Sequence, residues 1–374
     1  MIPRIYDLDK LVEPNKVIVL LGPRRVGKTT LLRTFLAKTK LKYREALGDE
    51  LYIQEALSAQ NLDDLSKFIG DNKLLVIDEA QRIPNIGLNL KIIVDNIPGI
   101  HVVATGSSSF ELTGQTGEPL TGRKKTLILY PVSMLELKKN TSSFDLKRFL
   151  PERLVFGSYP QIITSKFQEE KSAILNELIN SYLLKDILEL EKVKGSKILL
   201  DLLRMIAFQV GSEVSLTELG REIGIDTKTV ARYLDLFEKS FILYNLRGFS
   251  RNLRSEINRK SKYYFYDNGV RNAVISNFNP VEKRNDTGAL WENFMVAERL
   301  KKQSYGQIFA NNYFWRTWEQ KEIDWVEERE GRLIASEFKW NQRKNHKVPA
   351  LFRTTYPEST VNIITPENFT DFVT

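Results

Sequence analysis

The chain of 374 residues contains no cysteine and only two histidines. Without cysteine, the protein cannot form disulfides, thiolate nucleophiles or cysteine-bound zinc sites. The two histidines, His101 and His346, are far apart in the sequence, which argues against a histidine metal site or a catalytic triad. Long apolar runs are also missing, and the first residues lack the layout of a signal peptide. We therefore expect a cytoplasmic protein with no membrane association.

The remaining composition is that of a globular protein. Hydrophobic residues make up 42% of the chain and charged residues 27%, both ordinary values for a folded protein. The length predicts two or three domains, each with its own core. The net charge of +8 is compatible with an anionic partner such as nucleic acid.

A glycine-bounded loop follows the first apolar stretch, residues 17–21, and precedes an amphipathic helical pattern at 30–38. This order predicts the phosphate-binding loop of a P-loop NTPase. The loop glycines let backbone N–H groups turn toward phosphate, and the helix start adds a positive dipole. We expect Lys28 to reach the β- and γ-phosphates and the Thr29 hydroxyl to bind Mg²⁺. The predicted nucleotide-binding residues are Gly22, Pro23, Arg24, Arg25, Val26, Gly27, Lys28, Thr29 and Thr30.

Two acids follow a second apolar run. Residues 74–77 lead into Asp78 and Glu79, 50 positions after Lys28. Such a run predicts a buried parallel strand that ends at the ligand edge of an α/β sheet, a Walker B pattern. We expect Asp78 to hold Mg²⁺ and Glu79 to act as the general base that polarises the attacking water.

The segments GPRRVGKTTLL, LLVIDEAQRIPN, VVATGSSSFEL, LTGR and LYPVSMLEL occur in this order. Together they resemble a large prokaryotic family of AAA-type ATPases whose C-terminal half carries a domain of unknown function. FGSYPQII, at 156–163, resembles that family's Gly-Gly-Tyr-Pro segment, with Ser158 at the second glycine. The resemblance covers nearly the whole chain. It implies an AAA-type core and an arginine near the nucleotide, which Arg4 matches.

Two further catalytic residues are predicted by analogy with AAA-type ATPases. Ser107, with Ser108 as second choice, follows the strand pattern at 101–106 and matches the position of a sensor residue. The alternative is a plain helix cap. Arg123 follows a glycine turn and is a candidate arginine finger, acting on its own or a neighbour's nucleotide. The alternative is a surface charge cluster.

Residues 215–234 predict a helix, a tight turn and a second helix. Ser215 and Glu218 form a capping-box pattern, and Gly224 ends the first helix. With a strand at 241–247, the pattern resembles a winged helix. The basic run at 247–262 suits a phosphate backbone, and the alternative is a solvated hairpin. The alternative for the winged helix is protein packing without DNA. The predicted DNA-binding residues are Thr227, Lys228, Thr229 and Arg232.

A carboxylate and lysine pattern stands near the C-terminus. Asp324 ends one strand pattern, and Glu337 and Lys339 alternate on the next. This set resembles a PD-(D/E)xK nuclease core, in which two carboxylates hold Mg²⁺ and a lysine orients water. Glu292, on a predicted helix, matches the additional glutamate of such folds, with Glu298 as backup. The alternatives are charges on exposed strands, or a nuclease-like fold without cleavage.

These patterns predict an α/β protein with an AAA-type parallel sheet core at 1–150, a helical lid and winged helix at 151–247, and a restriction-endonuclease-like α/β domain at 248–374. The predicted function is Mg²⁺-dependent ATP hydrolysis coupled to movement of the C-terminal half, with DNA binding and DNA cleavage as an extension of this hypothesis. The alternative is a nucleotide-dependent switch, or a regulator, whose inactive nuclease-like domain binds protein partners. ATP, Mg²⁺, DNA and a homo-oligomer are the expected cofactors and partners.

Overall fold

The computed structural model describes residues 2–107, 120–183, 196–249, 261–317, 319–341 and 350–374. These residues form two compact units. The N-terminal unit contains residues 4–130 together with 239–241, and the C-terminal unit contains the remaining described residues. The predicted boundaries at 150 and 247 both lie inside the C-terminal unit, and the threefold division stays a prediction. Within the described ranges, no helix combines the length and the apolar character that a bilayer crossing requires.

The N-terminal unit is built on a five-stranded parallel sheet, as predicted. Its strand order is β2-β3-β4-β1-β5, and every described pairing is parallel. The strands at the centre are buried along nearly their whole length because helices pack against the sheet. The bounds are β1 Lys16–Leu21, β2 Tyr43–Leu47, β3 Leu74–Asp78, β4 His101–Gly106 and β5 Lys124–Ile128.

Short helices connect these strands. The parallel sheet requires each connection to cross back over a face, which brings the carboxyl ends of the strands to one edge. The bounds are α1 Leu8–Leu11, α2 Lys28–Leu36, α3 Leu51–Leu57, α4 Leu62–Ile69 and α5 Ile86–Asn96, with a 3₁₀ turn at Ala80–Arg82.

The C-terminal unit contains a seven-stranded mixed sheet in the order β12-β11-β10-β9-β7-β8-β6. Strands β9, β10 and β11 form an antiparallel meander, and β12 joins β11 in parallel. Strand β7 pairs with β8 antiparallel and with β9 parallel, so one sheet runs through the predicted second and third domains. The bounds are β6 Glu213–Val214, β7 Leu243–Gly248, β8 Ser261–Phe265, β9 Asn311–Arg316, β10 Glu322–Arg329, β11 Arg332–Phe338 and β12 Thr360–Ile364.

The helices of this unit include one of 19 residues, Thr287–Tyr305, which carries Glu292 as predicted. A π-helical segment at Leu178–Leu183 and a 3₁₀ turn at Val281–Lys283 interrupt the regular pattern. The bounds are α6 Met134–Leu137, α7 Ser143–Phe156, α8 Pro160–Thr164, α9 Gln168–Glu177, α10 Ser196–Phe208, α11 Leu216–Ile223, α12 Thr227–Lys239, α13 Asn268–Val274, α14 Thr287–Tyr305, α15 Ala350–Thr355 and α16 Phe369–Val373.

An aromatic cluster packs on the meander. Trp315 and Phe352 meet edge to face at 5.1 Å between ring centroids, and both are buried. Phe249 contacts the ring of Tyr356 in the same way at 5.4 Å. Burying each such ring contributes about 2–3 kcal/mol. The cluster therefore stabilises the positions of β9 and β10, and β10 carries polar residues of the predicted nuclease site.

The Gly-Ser-Tyr-Pro segment requires glycine at its first position because the buried Asp267 carboxylate leaves no room for a side chain there. Gly157 has φ +70°, and a Cβ there would lie 1.9 Å from Oδ1 of Asp267. The Asp267 carboxylate accepts hydrogen bonds from the N–H groups of Ser158 at 2.7 Å, Gly269 at 2.9 Å and Val270 at 3.2 Å. Asp267 thus caps α13 and also holds the segment that follows α7.

Candidate functional site

The predicted phosphate-binding loop joins the end of β1 to the start of α2. Gly22 has φ +151°, and a Cβ on it would lie only 2.1 Å from the carbonyl oxygen of Leu129. Gly27 has φ +97° and precedes Lys28, the first residue of α2. Both positions therefore require glycine, one for close backbone approach and one for its left-handed conformation. Residues 23–26 complete the loop, and Thr30 lies in the first turn of α2.

The Lys28 ammonium lies over the loop. This buried group donates hydrogen bonds to the carbonyl oxygens of Gly22 at 2.7 Å and Pro23 at 3.1 Å. The Arg4 guanidinium donates to the carbonyl oxygen of Val26 and, at 2.6 Å, to that of Tyr130. The expected arginine near the N-terminus thus contacts the loop itself, and it ties the loop to the segment after β5.

The two predicted metal ligands contact each other at the carboxyl edge of the sheet. Thr29 Oγ1 donates to Asp78 Oδ2 at 2.8 Å. A third residue, Thr105 near the end of β4, donates its hydroxyl to the other oxygen of the same carboxylate. Thr105 Oγ1 also accepts from the backbone N–H of Glu79 at 3.1 Å. The sequence signal for Thr105 was a polar residue inside an apolar strand, just before the predicted sensor serine.

Glu79 is held by a residue that the sequence reasoning missed. The Gln81 amide donates to the Glu79 carboxylate and, at 3.2 Å, to Oγ of Ser107. Glu79 has φ +55°, an uncommon conformation for a residue with a side chain. Gly48 lies close by, because a Cβ there would be 2.2 Å from the Glu79 carbonyl oxygen. Gln81 thus connects the predicted base to the predicted sensor. Ser108 lies outside the described residues.

Arg123 stands at the other edge of the sheet. The carbonyl oxygen of Arg123 accepts from the N–H of Val17 at 2.9 Å, near the start of β1, whereas the loop follows the end of that strand. From Val17 to Leu21, the last residue of β1, the strand advances by four residues, a length of about 13 Å. The Arg123 side chain pairs with Asp95 at 2.5 Å. This position does not favour contact with a nucleotide on the same chain, and action on a neighbour's nucleotide stays a prediction.

The predicted nuclease residues of β10 and β11 lie beside each other. Because Trp325 pairs with Ser336, Asp324 and Glu337 face one another across the hairpin. The N–H of Asp324 lies 3.4 Å from Oε2 of Glu337, and Lys339 Nζ is 2.5 Å from Oε1 of Glu337. Burial raises the pKa of Asp324 to about 7, and the Glu337 charge adds to this effect. Burial also raises the pKa of Glu337.

Glu292, on α14, joins this group of residues through unexpected partners. Its Oε1 accepts from the Tyr264 hydroxyl at 2.6 Å and lies 3.5 Å from Nζ of Lys262. Lys262 also donates to the Glu322 carboxylate. Burial raises the pKa of Glu292 to about 7 despite the Lys262 charge. Across the described ranges, no three carboxylate or histidine side chains are grouped so that they could hold a metal ion.

The backup residue Glu298 is not part of this group. It is buried elsewhere, where its carboxylate accepts from the N–H of Met134 at 2.6 Å and from Lys301 at 2.7 Å. Lys262, Tyr264 and Glu322 are the members that sequence reasoning did not select. Lys262 and Tyr264 lie on β8, and no local signal in the sequence indicated which side chains that strand would meet.

The predicted helix, turn and helix are present as α11 and α12. Gly224 ends α11 with φ +79°, and Ser215 caps its start by accepting from the N–H of Glu218 at 3.3 Å. Asp226 caps α12, because its carboxylate accepts from the N–H of Thr229 at 3.0 Å and from its hydroxyl at 2.6 Å. The hydroxyl of Thr229, one of the predicted DNA-binding residues, is therefore hydrogen-bonded within the protein. The side chains of Thr227, Lys228 and Arg232 are exposed. Residues 250–260, most of the basic run, lie outside the described residues.

Comparisons with known proteins agree with the first part of this description. Residues 14–138 match the family model "AAA domain", and residues 147–281 and 287–369 match two domains of unknown function, DUF8612 and DUF4143. Residues 14–138 are therefore similar to an AAA domain, in agreement with the parallel sheet and the glycine-bounded loop. The C-terminal matches carry no assigned activity.

The curated relatives are uncharacterised proteins. One from Mycobacterium tuberculosis is 29% identical over 330 residues, covering 86% of this chain and 70% of its own length. One from Haemophilus influenzae is 24% identical over 331 residues, covering 81% of this chain and 79% of its own. One from Methanocaldococcus jannaschii is 24% identical over 345 residues, covering 86% and 74%.

Among solved structures, one similar chain is a signal transduction ATPase with numerous domains that carries a tetratricopeptide repeat sensor, from Pyrococcus horikoshii. It is 12% identical, and the match covers 77% of this chain and 44% of that chain with a TM-score of 0.23. At this score nothing about the present chain follows from the likeness.

Proposed function

We propose that the N-terminal unit binds ATP with Mg²⁺ and hydrolyses it. This proposal rests on the hydrogen bond between Thr29 and Asp78 at the carboxyl edge of the parallel sheet. Lys28, the residue before Thr29, is at the end of the glycine-bounded loop at the same edge. A hydroxyl and a carboxylate are hard oxygen donors of the kind that Mg²⁺ prefers, so the residues present fit the ion. The bound ion would neutralise charge on the phosphate oxygens.

Each of the other residues at this edge of the sheet would have its own function in phosphate binding or hydrolysis. The loop amides and the start of α2 favour the phosphate anions, and Lys28 would exchange its contacts with Gly22 and Pro23 for phosphate oxygens. Glu79 would accept the proton of the attacking water as the general base. Ser107, which Gln81 links to Glu79, would sense the bound phosphate.

An ATPase assay on the Lys28→Ala variant tests this proposal. Hydrolysis should be abolished, because the variant lacks the cation that faces the phosphates. Lys38→Ala is the matched control, since that lysine is exposed just beyond the end of α2 and should leave turnover unchanged. Turnover at the wild-type rate in Lys28→Ala would end the ATPase proposal.

We further propose that α12 binds the DNA backbone. Support comes from the capped helix, turn and helix, from the strands β6, β7 and β8 that flank it in a winged-helix order, and from exposed Lys228 and Arg232. Each phosphate contact contributes close to one unit to the slope of log K against log salt concentration. The double variant Lys228→Glu with Arg232→Glu should therefore lower both affinity and slope for duplex DNA in fluorescence anisotropy.

The control for that measurement is Lys197→Glu, a charge reversal at an exposed lysine on α10 in the same unit. Its affinity for DNA should stay close to that of the wild type. Equal losses in both variants would indicate a general charge effect, and a flat salt response would remove the DNA proposal.

The second candidate function is a nucleotide-dependent switch whose nuclease-like region does not cut DNA. One observation favours it over cleavage: Lys262 contacts the glutamates next to the Asp324 and Glu337 pair. The assay is incubation of plasmid and linear DNA with the full chain and Mg²⁺ or Mn²⁺. Cleavage that disappears in Asp324→Ala, while ATP hydrolysis persists, would restore the nuclease hypothesis.

A further inference from the structure

A buried lysine lies at the centre of the acidic group on the mixed sheet. The Lys262 side chain is only 1% exposed, and its ammonium contacts the carboxylates of Glu292 and Glu322 from two different elements, α14 and β10. Its ammonium also lies 5.2 Å from the centre of the Phe314 ring. These contacts place a fixed positive charge where carboxylates from separate parts of the fold converge.

The surrounding groups hold this arrangement in place. The Tyr264 hydroxyl donates to the same Glu292 oxygen that faces Lys262. Arg316 approaches the other oxygen of Glu322 at 3.5 Å. Gly211 allows close packing, because a Cβ there would lie 3.1 to 3.3 Å from the three end atoms of the Glu292 side chain. Both glutamates therefore have protein partners.

The nuclease resemblance implies a divalent cation in this region, and the side chains present do not fit it. Glu292, the helical glutamate that would join Asp324 and Glu337, faces an ammonium instead. The charge on Lys262 extends its effect to Asp324, whose pKa it lowers against the larger effects of burial and Glu337. A divalent ion bound among these carboxylates would meet a buried positive charge that cannot move into water.

We propose that Lys262 is a built-in cation that takes the place of a divalent metal ion in the nuclease-like site. The carboxylates keep their convergent arrangement because the ammonium balances their charge. The site consequently lacks the metal that phosphodiester hydrolysis in such a fold depends on, and the domain serves as a rigid body for binding. This inference deepens the switch candidate and does not depend on ATP hydrolysis.

The test is a titration of the nucleotide-free full chain with Mn²⁺, followed by isothermal calorimetry. Wild type should show no saturable binding that depends on Asp324. Lys262→Met, which keeps an unbranched side chain one atom shorter and removes the charge, should gain saturable Mn²⁺ binding, and this binding should be lost again in Lys262→Met with Asp324→Asn. Lys262→Arg, which keeps the charge, should bind as little as wild type.

Two results would overturn the proposal. One is Mn²⁺ binding by wild type that Asp324→Asn abolishes, and this arm holds even if Lys262→Met fails to fold. The other is a folded Lys262→Met variant, judged by circular dichroism, that gains no binding. Asp78→Asn serves as a separate control for metal at the phosphate loop. Because no arm uses ATP, failure of the ATPase proposal would leave these outcomes unchanged.

Discussion

Replacing Asp267 with alanine tests the buried contact between α13 and the Gly-Ser-Tyr-Pro segment. The substitution removes the acceptor for the N–H groups of Ser158, Gly269 and Val270. A buried N–H without a partner costs about 1–3 kcal/mol. Since three such losses at one site overlap, we expect the free energy of unfolding of the C-terminal unit to fall by roughly 3–5 kcal/mol. A domain is stable by only about 5–15 kcal/mol, so the loss is a large fraction of the total.

Tryptophan fluorescence during urea denaturation measures this loss selectively. All five tryptophans lie between residues 291 and 340, so the signal reports on the C-terminal unit alone. The matched control is Asp226→Ala, which removes another aspartate cap in the same unit. Asp226 holds one exposed helix start through Thr229.

We expect the unfolding midpoint of Asp226→Ala to stay much closer to that of wild type than the midpoint of Asp267→Ala. Similar shifts for the two variants would refute the reasoning, because they would show that burial and the link to Ser158 add nothing beyond an ordinary helix cap.

Three further variants probe other contacts. Gln81→Ala should lower kcat for ATP by roughly tenfold with an unchanged Kd, because Gln81 holds the base Glu79 and also contacts Ser107; a change in Kd alone would contradict this role. Gly22→Ala should abolish binding of a fluorescent ATP analogue, whereas Gly99→Ala, also at positive φ but with open space around it, should not. Burial would raise the pKa of Asp286, but Arg284 and Arg271 lower it to about 2. Because that value lies below the unfolded pKa near 4, the ionised group stabilises the fold above pH 4 and loses this effect as pH falls toward 2. Asp286→Asn should therefore be less stable by about 1–2 kcal/mol at pH 7, after screening, with the gap closing in acid urea titrations; a gap independent of pH would exclude this account.

The sequence by itself determined the phosphate loop and the acids that face it. A strand, a glycine turn and a helix are consecutive in the chain, so local conformation alone sets the loop. A buried run that ends in two acids identifies a parallel strand, and parallel strands present their carboxyl ends at one edge. Thr29 and Asp78 meet for that reason. The hairpin spacing from Asp324 to Glu337 is local in the same sense, because one tight turn sets the register.

Tertiary structure alone decided which residues surround these groups. The parallel pairing of β5 with β1 put Arg123 near the start of β1 and away from the loop that follows its end, although its neighbours in sequence resemble a catalytic segment. The pairing of β8 within the mixed sheet brought Lys262 to Glu292 and Glu322, 30 and 60 residues away. Gly157 and Asp267 meet across a similarly long separation. Such contacts depend on sheet order and packing, and the alternation of side chains along one strand contains no information about either.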